Sequence, residues 1–184
     1  MCEHVVFINP KLIIHIPDDK KTEKICRIIV ERHIDLIHYI PDDILTKSIC
    51  ELMIKKYKNA LMVIPDRLKT IKMCRKIIRK NGIMLQFVPD SMKTKKICKI
   101  AVKNCGYAIQ FVPENKKTNE LYELAVMQNG YALKFIAIEN HTNIIYEIAV
   151  NKSEYAILYI PRERLTDEII SIAITKNKDI ANYI

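Results

Sequence analysis

The chain has 184 residues, 49% apolar and 28% charged, with a formal net charge of +9. That balance supports a packed core and excludes a disordered polyelectrolyte, and no apolar run approaches the roughly 18 residues that a membrane-spanning helix requires. The opening Met1-Cys2-Glu3-His4-Val5 has no basic leader of the secretory kind, so an intracellular setting is expected.

Threonine returns every 24 residues, at Thr22, Thr46, Thr70, Thr94, Thr118, Thr142 and Thr166. Proline keeps the same interval at Pro17, Pro41, Pro65, Pro89, Pro113 and Pro161, with Ala137 in the remaining place. Cys2, Cys26, Cys50, Cys74 and Cys98 form a third column, continued by Tyr122, Tyr146 and Ile170. A fixed period of this length marks stacked copies of one small unit. Residues 1–184 therefore read as a single repeat domain of about seven units, with partial units at its ends.

The first copy is a remnant, Lys11 to Pro17. From Thr22 onward each copy opens with a threonine followed by apolar residues at helical spacing. In Thr94 to Pro113, Ile97, Cys98, Ile100, Ala101 and Val102 cover one side of a helix while Lys95, Lys96, Lys99 and Lys103 face elsewhere. The threonine is the expected N-cap, worth about 1 kcal/mol per copy. A reciprocal capping box is absent, because the residue three further on is apolar in every copy, from Ile25 to Ile169. The helix is expected to stop at Asn81-Gly82, Asn104-Cys105-Gly106 and Asn129-Gly130 through a left-handed residue. Ile34, Lys58 and Glu154 at the glycine column call for another turn.

A second, shorter element follows at Leu36 to Ile40, Ala60 to Ile64, Met84 to Val88, Ala108 to Val112, Ala132 to Ile136 and Ala156 to Ile160. Proline ends all of these but the one before Ala137. Tyr107, Ile109 and Phe111 alternate as in a strand, whereas Ala108, Ile109 and Val112 form a helical stripe. Alanine at 60, 108, 132 and 156 favours helix. The expected fold class is all-α, a solenoid of short two-helix repeats with a 24-residue period, with a leucine-rich-type α/β horseshoe as the alternative.

The strings AVKNCGYAIQFVP from Ala101 and AVMQNGYALKFI from Ala125 resemble a helical repeat family of unknown function, in which Ala-Val-Lys-x-Asn-Gly-x-Ala-Leu recurs every two dozen or so residues. The likeness is sharp from Thr94 to Ile136, looser in the flanking copies and degenerate before Thr70. That family is best known from giant DNA viruses, with copies in some protists and bacteria. The resemblance implies helical repeats and a viral origin, with a cytoplasmic or nuclear location in an infected host, and supplies no activity.

Charge is concentrated in the middle: residues 47 to 103 hold 16 Lys or Arg against Glu51, Asp66 and Asp90, while each flank carries −2. Stacked repeats align Lys55, Arg79 and Lys103 in one column and Lys56, Lys80 and Asn104 in the next. These columns would form basic ridges able to hold nucleic acid or an acidic partner, or simply to complement helix C-termini. A second exposed column is expected at Met62, Gln86, Gln110 and Lys134. Tyr107, Tyr131 and Tyr155 are expected to pack between neighbours, as is the ring column that includes His15. Lys76, in an otherwise apolar column, and Ala137, in the proline column, mark places where a bend or a partner contact is expected.

No catalytic constellation emerges. Equivalent cysteines in successive repeats stand too far apart for one zinc ion or a disulfide, so the column reads as small buried side chains. Cys105, at a corner, is the expected exposed thiol. His4, His15, His33, His38 and His141 show no metal spacing, and no cofactor is implied. The function expected is a noncatalytic scaffold for a protein or peptide partner through Lys55, Lys56, Arg79, Lys80, Lys103, Met62, Gln86, Gln110 and Lys134. Nucleic-acid binding through the central basic surface is the alternative. Tyr183 and Ile184 make a poor polar cap, which suggests self-association through terminal units.

Overall fold

From Glu23 onward each α-helix begins directly after a threonine of the column. The computed structural model describes residues 2–184. Its α-helices are α1 (Cys2–Ile8), α2 (Glu23–Arg32), α3 (Lys47–Lys56), α4 (Ile71–Ile78), α5 (Lys95–Asn104), α6 (Asn119–Gln128), α7 (Asn143–Lys152) and α8 (Asp167–Lys176). Ahead of α2 to α8, the threonine hydroxyl oxygen accepts the N–H of the residue three positions on, at 3.2–3.4 Å. Helices of this length are marginal alone in water, so packing on neighbours must hold them.

The second element is a 3-10 helix. It spans Ile34–Tyr39, Gly82–Phe87, Gly106–Phe111, Gly130–Phe135 and Glu154–Tyr159, and is cut to Ala60–Met62 in the third copy. A further 3-10 turn follows the proline corner, as at Glu114–Lys116. Six residues fenced by a proline close more i to i+3 bonds than i to i+4 bonds. Three residues per turn then put Gly106, Ile109 and Val112 on one buried face and turn Gln110 outward beside the half-buried Tyr107. The fold is an all-α solenoid. The horseshoe alternative fails, because no strand occurs among the described residues.

The left-handed corners also fail: no residue among those described has a positive φ. The residue ahead of each glycine corner is extended instead, with φ/ψ of −146°/110° at Cys105 and −153°/114° at Asn129. Ser153, ahead of Glu154, has the same geometry at −149°/106°, so that copy needs no separate turn. Only the Lys58 corner departs clearly, its 3-10 segment starting late at Ala60. Glycine is needed for space rather than for φ. A Cβ on Gly82, Gly106 or Gly130 would stand 2.3, 2.4 or 2.3 Å from the carbonyl oxygen of Ala101, Ala125 or Ala149 in the following repeat. In the earlier copies the same two columns hold Pro10, Ile34 and Lys58 with Ile29, Met53 and Ile77, bulky residues on both sides.

The chain forms one compact body ending at Ile77 and a second from Ile78 to Ile184. In the first, α1, α2 and α3 pack in succession, around Val6, Ile25, Ile29, Ile49, Met53 and Leu61. In the second, α5 to α8 pack in succession and so do the 3-10 segments. Its core joins Ile97, Leu121 and Ile145 from the α-helices to Leu85, Ile109, Leu133 and Ile157 from the 3-10 layer. Ala137 introduces no bend. Its φ/ψ of −67°/142° match −57°/140° at Pro113 and −56°/139° at Pro161.

Two substitutions test this packing. Gly106→Ala is expected to destabilise the chain by about 1–3 kcal/mol through overpacking, read as a lower urea midpoint. An unchanged midpoint would show that the facing helix yields without cost. Ala137→Pro is expected to stabilise by about 0.4–1 kcal/mol. Its N–H donates no hydrogen bond among the described residues, and Ile136 is already extended as a residue before proline must be.

Candidate functional site

In seven repeats one column of the 3-10 layer is exposed: Ile14, His38, Met62, Gln86, Gln110, Lys134 and Leu158. The residue before it, Ile13, Ile37, Leu61, Leu85, Ile109, Leu133 or Ile157, is buried in all seven. The buried residue anchors the turn and the next one is thereby held outward, with a chemistry that changes from repeat to repeat. Met62 is 55% exposed. Gln110 donates from Nε2 to the Tyr107 carbonyl at 3.0 Å. Lys134 lies 4.8 Å from the Phe135 ring centre and 5.5 Å from that of Tyr107.

The tyrosines bridge repeats. Tyr107 meets Phe135 edge to face at 5.5 Å, Tyr131 meets Tyr159 at 6.3 Å and Tyr155 meets Tyr183 at 6.3 Å, favourable geometries for aromatic pairs. The ring column that includes His15 was expected to be packed away. It is instead half-buried at Phe87, Phe111 and Phe135 and exposed at His15, Tyr39 and Tyr159, because it lies at the rim of the outward face.

Lys55, Lys56, Arg79, Lys80 and Lys103 are all exposed. Lys55 and Lys56 end α3, Lys103 is the penultimate residue of α5, and Arg79 and Lys80 follow α4 directly. The Lys56 column complements helix C-termini, but not that of its own helix. It serves the preceding one: Lys56 Nζ donates to the Glu31 carbonyl, and Arg32 reaches the Phe7 carbonyl at 3.1 Å in the same way. In the second body, Asn104 donates to the Arg79 carbonyl at 3.0 Å and accepts the Gly82 N–H at 2.8 Å. Gln128 repeats the arrangement on Asn104 and Gly106. Orphan carbonyls at a helix end are thus satisfied from the next repeat.

Some of the lysines are drawn inward, in ion pairs that the net charge already counts as neutral. After four of the six prolines in the column a carboxylate pairs with the lysine three residues on: Asp18 with Lys21, Asp66 with Lys69, Asp90 with Lys93 and Glu114 with Lys117, at 2.6–2.9 Å. The lysine side chains are only 6–11% exposed, their stems packed into the corner. Lys99 is paired across helices with Glu120 at 2.5 Å. The Pro-acid-x-x-Lys-Thr spacing was visible in the sequence, but the burial of the lysine was not.

Cys26, Cys50, Cys74 and Cys98 are buried and free. Burial pushes the Cys26 thiol up to about 12, with the neighbouring Cys50 adding to the shift, which suppresses the nucleophilic thiolate. Cys105 is half-buried rather than exposed, because Gly82 and its repeat pack against it. No group of three His, Cys, Asp or Glu among the described residues is placed to hold a metal ion.

His141 takes the corner-lysine position and is buried. Its Nε2 lies 2.8 Å from the Ile136 carbonyl and must donate, so in the neutral ring Nδ1 accepts from the Tyr146 hydroxyl at 3.2 Å. Burial first, then the nearby Arg164 charge, holds its pKa below the ordinary 6.5. The stabilisation is therefore full above the unfolded value and is lost as pH falls through the depressed folded pKa. The urea midpoint is expected to drop between about pH 7 and pH 5, and His141→Leu, the residue found at Leu45 and Leu165 in this column, is expected to flatten that drop.

Among the described residues, no helix is long and apolar enough to cross a membrane. A family model described as a domain of unknown function (DUF4116) matches three overlapping windows, residues 46–93, 70–115 and 94–140. No characterised protein and no solved structure matches the chain.

Proposed function

The chain belongs to the DUF4116 family, a domain of unknown function, and on that premise we propose that it is a noncatalytic repeat scaffold binding a protein or peptide partner along its 3-10 face. The observation that carries the reading is the column of seven exposed, chemically varied side chains from Ile14 to Leu158, each next to a buried anchor. Met62 in the first body and Gln86, Gln110 and Lys134 in the second would discriminate partners, the buried column within each body holding its own side chains outward. A preorganised surface of this kind loses little entropy on binding. The likeness of residues 94 to 136 to repeats of giant DNA viruses supports a viral origin and an intracellular place of action.

Nucleic acid is the second reading. It is favoured by Lys55, Arg79, Lys80 and Lys103, which are exposed and form no ion pair among the described residues. A photo-crosslinker at Gln86 or Gln110 is expected to trap one protein. Joint replacement of Met62, Gln86, Gln110 and Lys134 by Ala is expected to weaken that complex at least about tenfold, a loss of about 1.4 kcal/mol, with the circular dichroism unchanged. Retention of the partner by this variant would sink the scaffold reading. Binding that falls steeply with salt and disappears on neutralising Lys55, Lys56, Arg79, Lys80 and Lys103 would establish the second.

A further inference from the structure

The repeats supply their own control for what the fold requires. One helix column carries Ile28, Leu52, Ile100, Leu124, Ile148 and Ile172, each half-buried, while His4 in α1 and Lys76 in the fourth repeat are exposed. Six copies fold with an aliphatic residue there, so stacking does not call for a lysine. Lys76 borders a hollow of about 300 Å³ between α3 and α4, with Glu51, Leu52, Lys55, Lys72 and Met73. Three ammonium groups face one carboxylate, an excess of two positive charges. Elsewhere ion pairs 21 residues apart link neighbouring helices, Lys24 with Glu3 at 2.7 Å and Lys99 with Glu120 at 2.5 Å, the latter lining a smaller hollow of about 200 Å³ between α5 and α6. Glu51 and Lys72 have the same separation but form no ion pair, and the hollow opens between the two helices. The lining also includes apolar groups, Leu52 half-buried and Met73 4% exposed. On the same turn of α4, Arg75 keeps a buried Nε without a hydrogen-bond partner.

The geometry points to this groove as the docking site of an acidic peptide segment, whose carboxylates meet Lys55, Lys72 and Lys76 while one apolar side chain covers Leu52 and Met73. A peptide fits better than nucleic acid, because the lining mixes apolar groups with the lysines and offers no ring on which a base stacks. The proposal goes beyond the scaffold reading above and uses a different surface, so the two stand or fall separately.

The test uses the full chain and a fluorescein-labelled peptide of roughly twelve residues with two leucines among glutamates, followed by fluorescence anisotropy at low salt. A peptide with glutamine in place of glutamate and a single-stranded DNA of similar length serve as the other probes. Lys76→Leu restores the aliphatic side chain of the other repeats and is expected to fold as the parent does, while losing about tenfold in affinity for the acidic peptide. The glutamine peptide is expected to bind at least about tenfold more weakly to the parent chain. Gln86→Ala and Gln110→Ala are expected to leave the acidic peptide's affinity unchanged. Absence of binding by the parent chain, equal binding by Lys76→Leu, or tighter binding of the DNA at the same lysines would each overturn the proposal. Weakening by Gln86→Ala or Gln110→Ala would overturn it as well, by moving the peptide to the 3-10 face and leaving the scaffold reading intact.

Discussion

A helix of ten residues leaves four N–H groups at one end and four carbonyls at the other without intrahelical partners, so its ends are nearly the whole helix. The rest of this structure depends on how those ends are satisfied. At the start, the threonine of each repeat accepts an N–H from within its own copy. At the finish, the solution is handed on: Lys56, Asn104 and Gln128 each reach a carbonyl near the end of the preceding helix. One end is closed locally and the other by the neighbour. Helices α1, α2, α4 and α5 are therefore completed only when the next has docked, which ties local order to stacking and makes stability a nearest-neighbour property.

That dependence explains the division of labour among columns. Positions that stack are repeated in kind: aliphatic anchors in the 3-10 layer, small residues at Ala101, Ala125 and Ala149, and glycines facing them. Positions that neither stack nor cap are free to vary, and these are the outward side chains of the 3-10 face and the departures such as Lys76. A repeat protein thus carries an internal comparison for each of its residues. A side chain that differs from its column without a packing reason is a candidate for function, whereas one that follows its column is explained by the fold. The corner lysines illustrate the second case. Lys69 and Lys93 are folded into their corners against Asp66 and Asp90, each pair neutral, so these lysines leave the excess positive charge to residues outside the corners.

Where sequence and structure part, the cause is distance along the chain. The glycine of Asn-Gly was legible as a helix stop, but its reason lies 19 residues away, in the Ala carbonyl that leaves no room for a Cβ. The second element was legible as short, helical and ended by proline. Its 3-10 winding came from the competition between two hydrogen-bond registers in six residues, which periodicity alone does not resolve. Cysteines were legible as buried from their column, and Cys105 was misjudged because its cover comes from the preceding repeat.

The amino-acid order by itself determined the 24-residue period, the helix starts, the all-α solenoid class and which columns are apolar, because these follow from patterns contained within one copy. The tertiary structure alone decided why glycine is required, which lysines are withdrawn into corners or spent on carbonyls, that His141 is held neutral against Tyr146, and that a basic groove opens between α3 and α4. Capping and periodicity act within a few residues and are written locally. The fate of a long polar side chain is set by the repeat that packs beside it, and only stacking brings that repeat within reach.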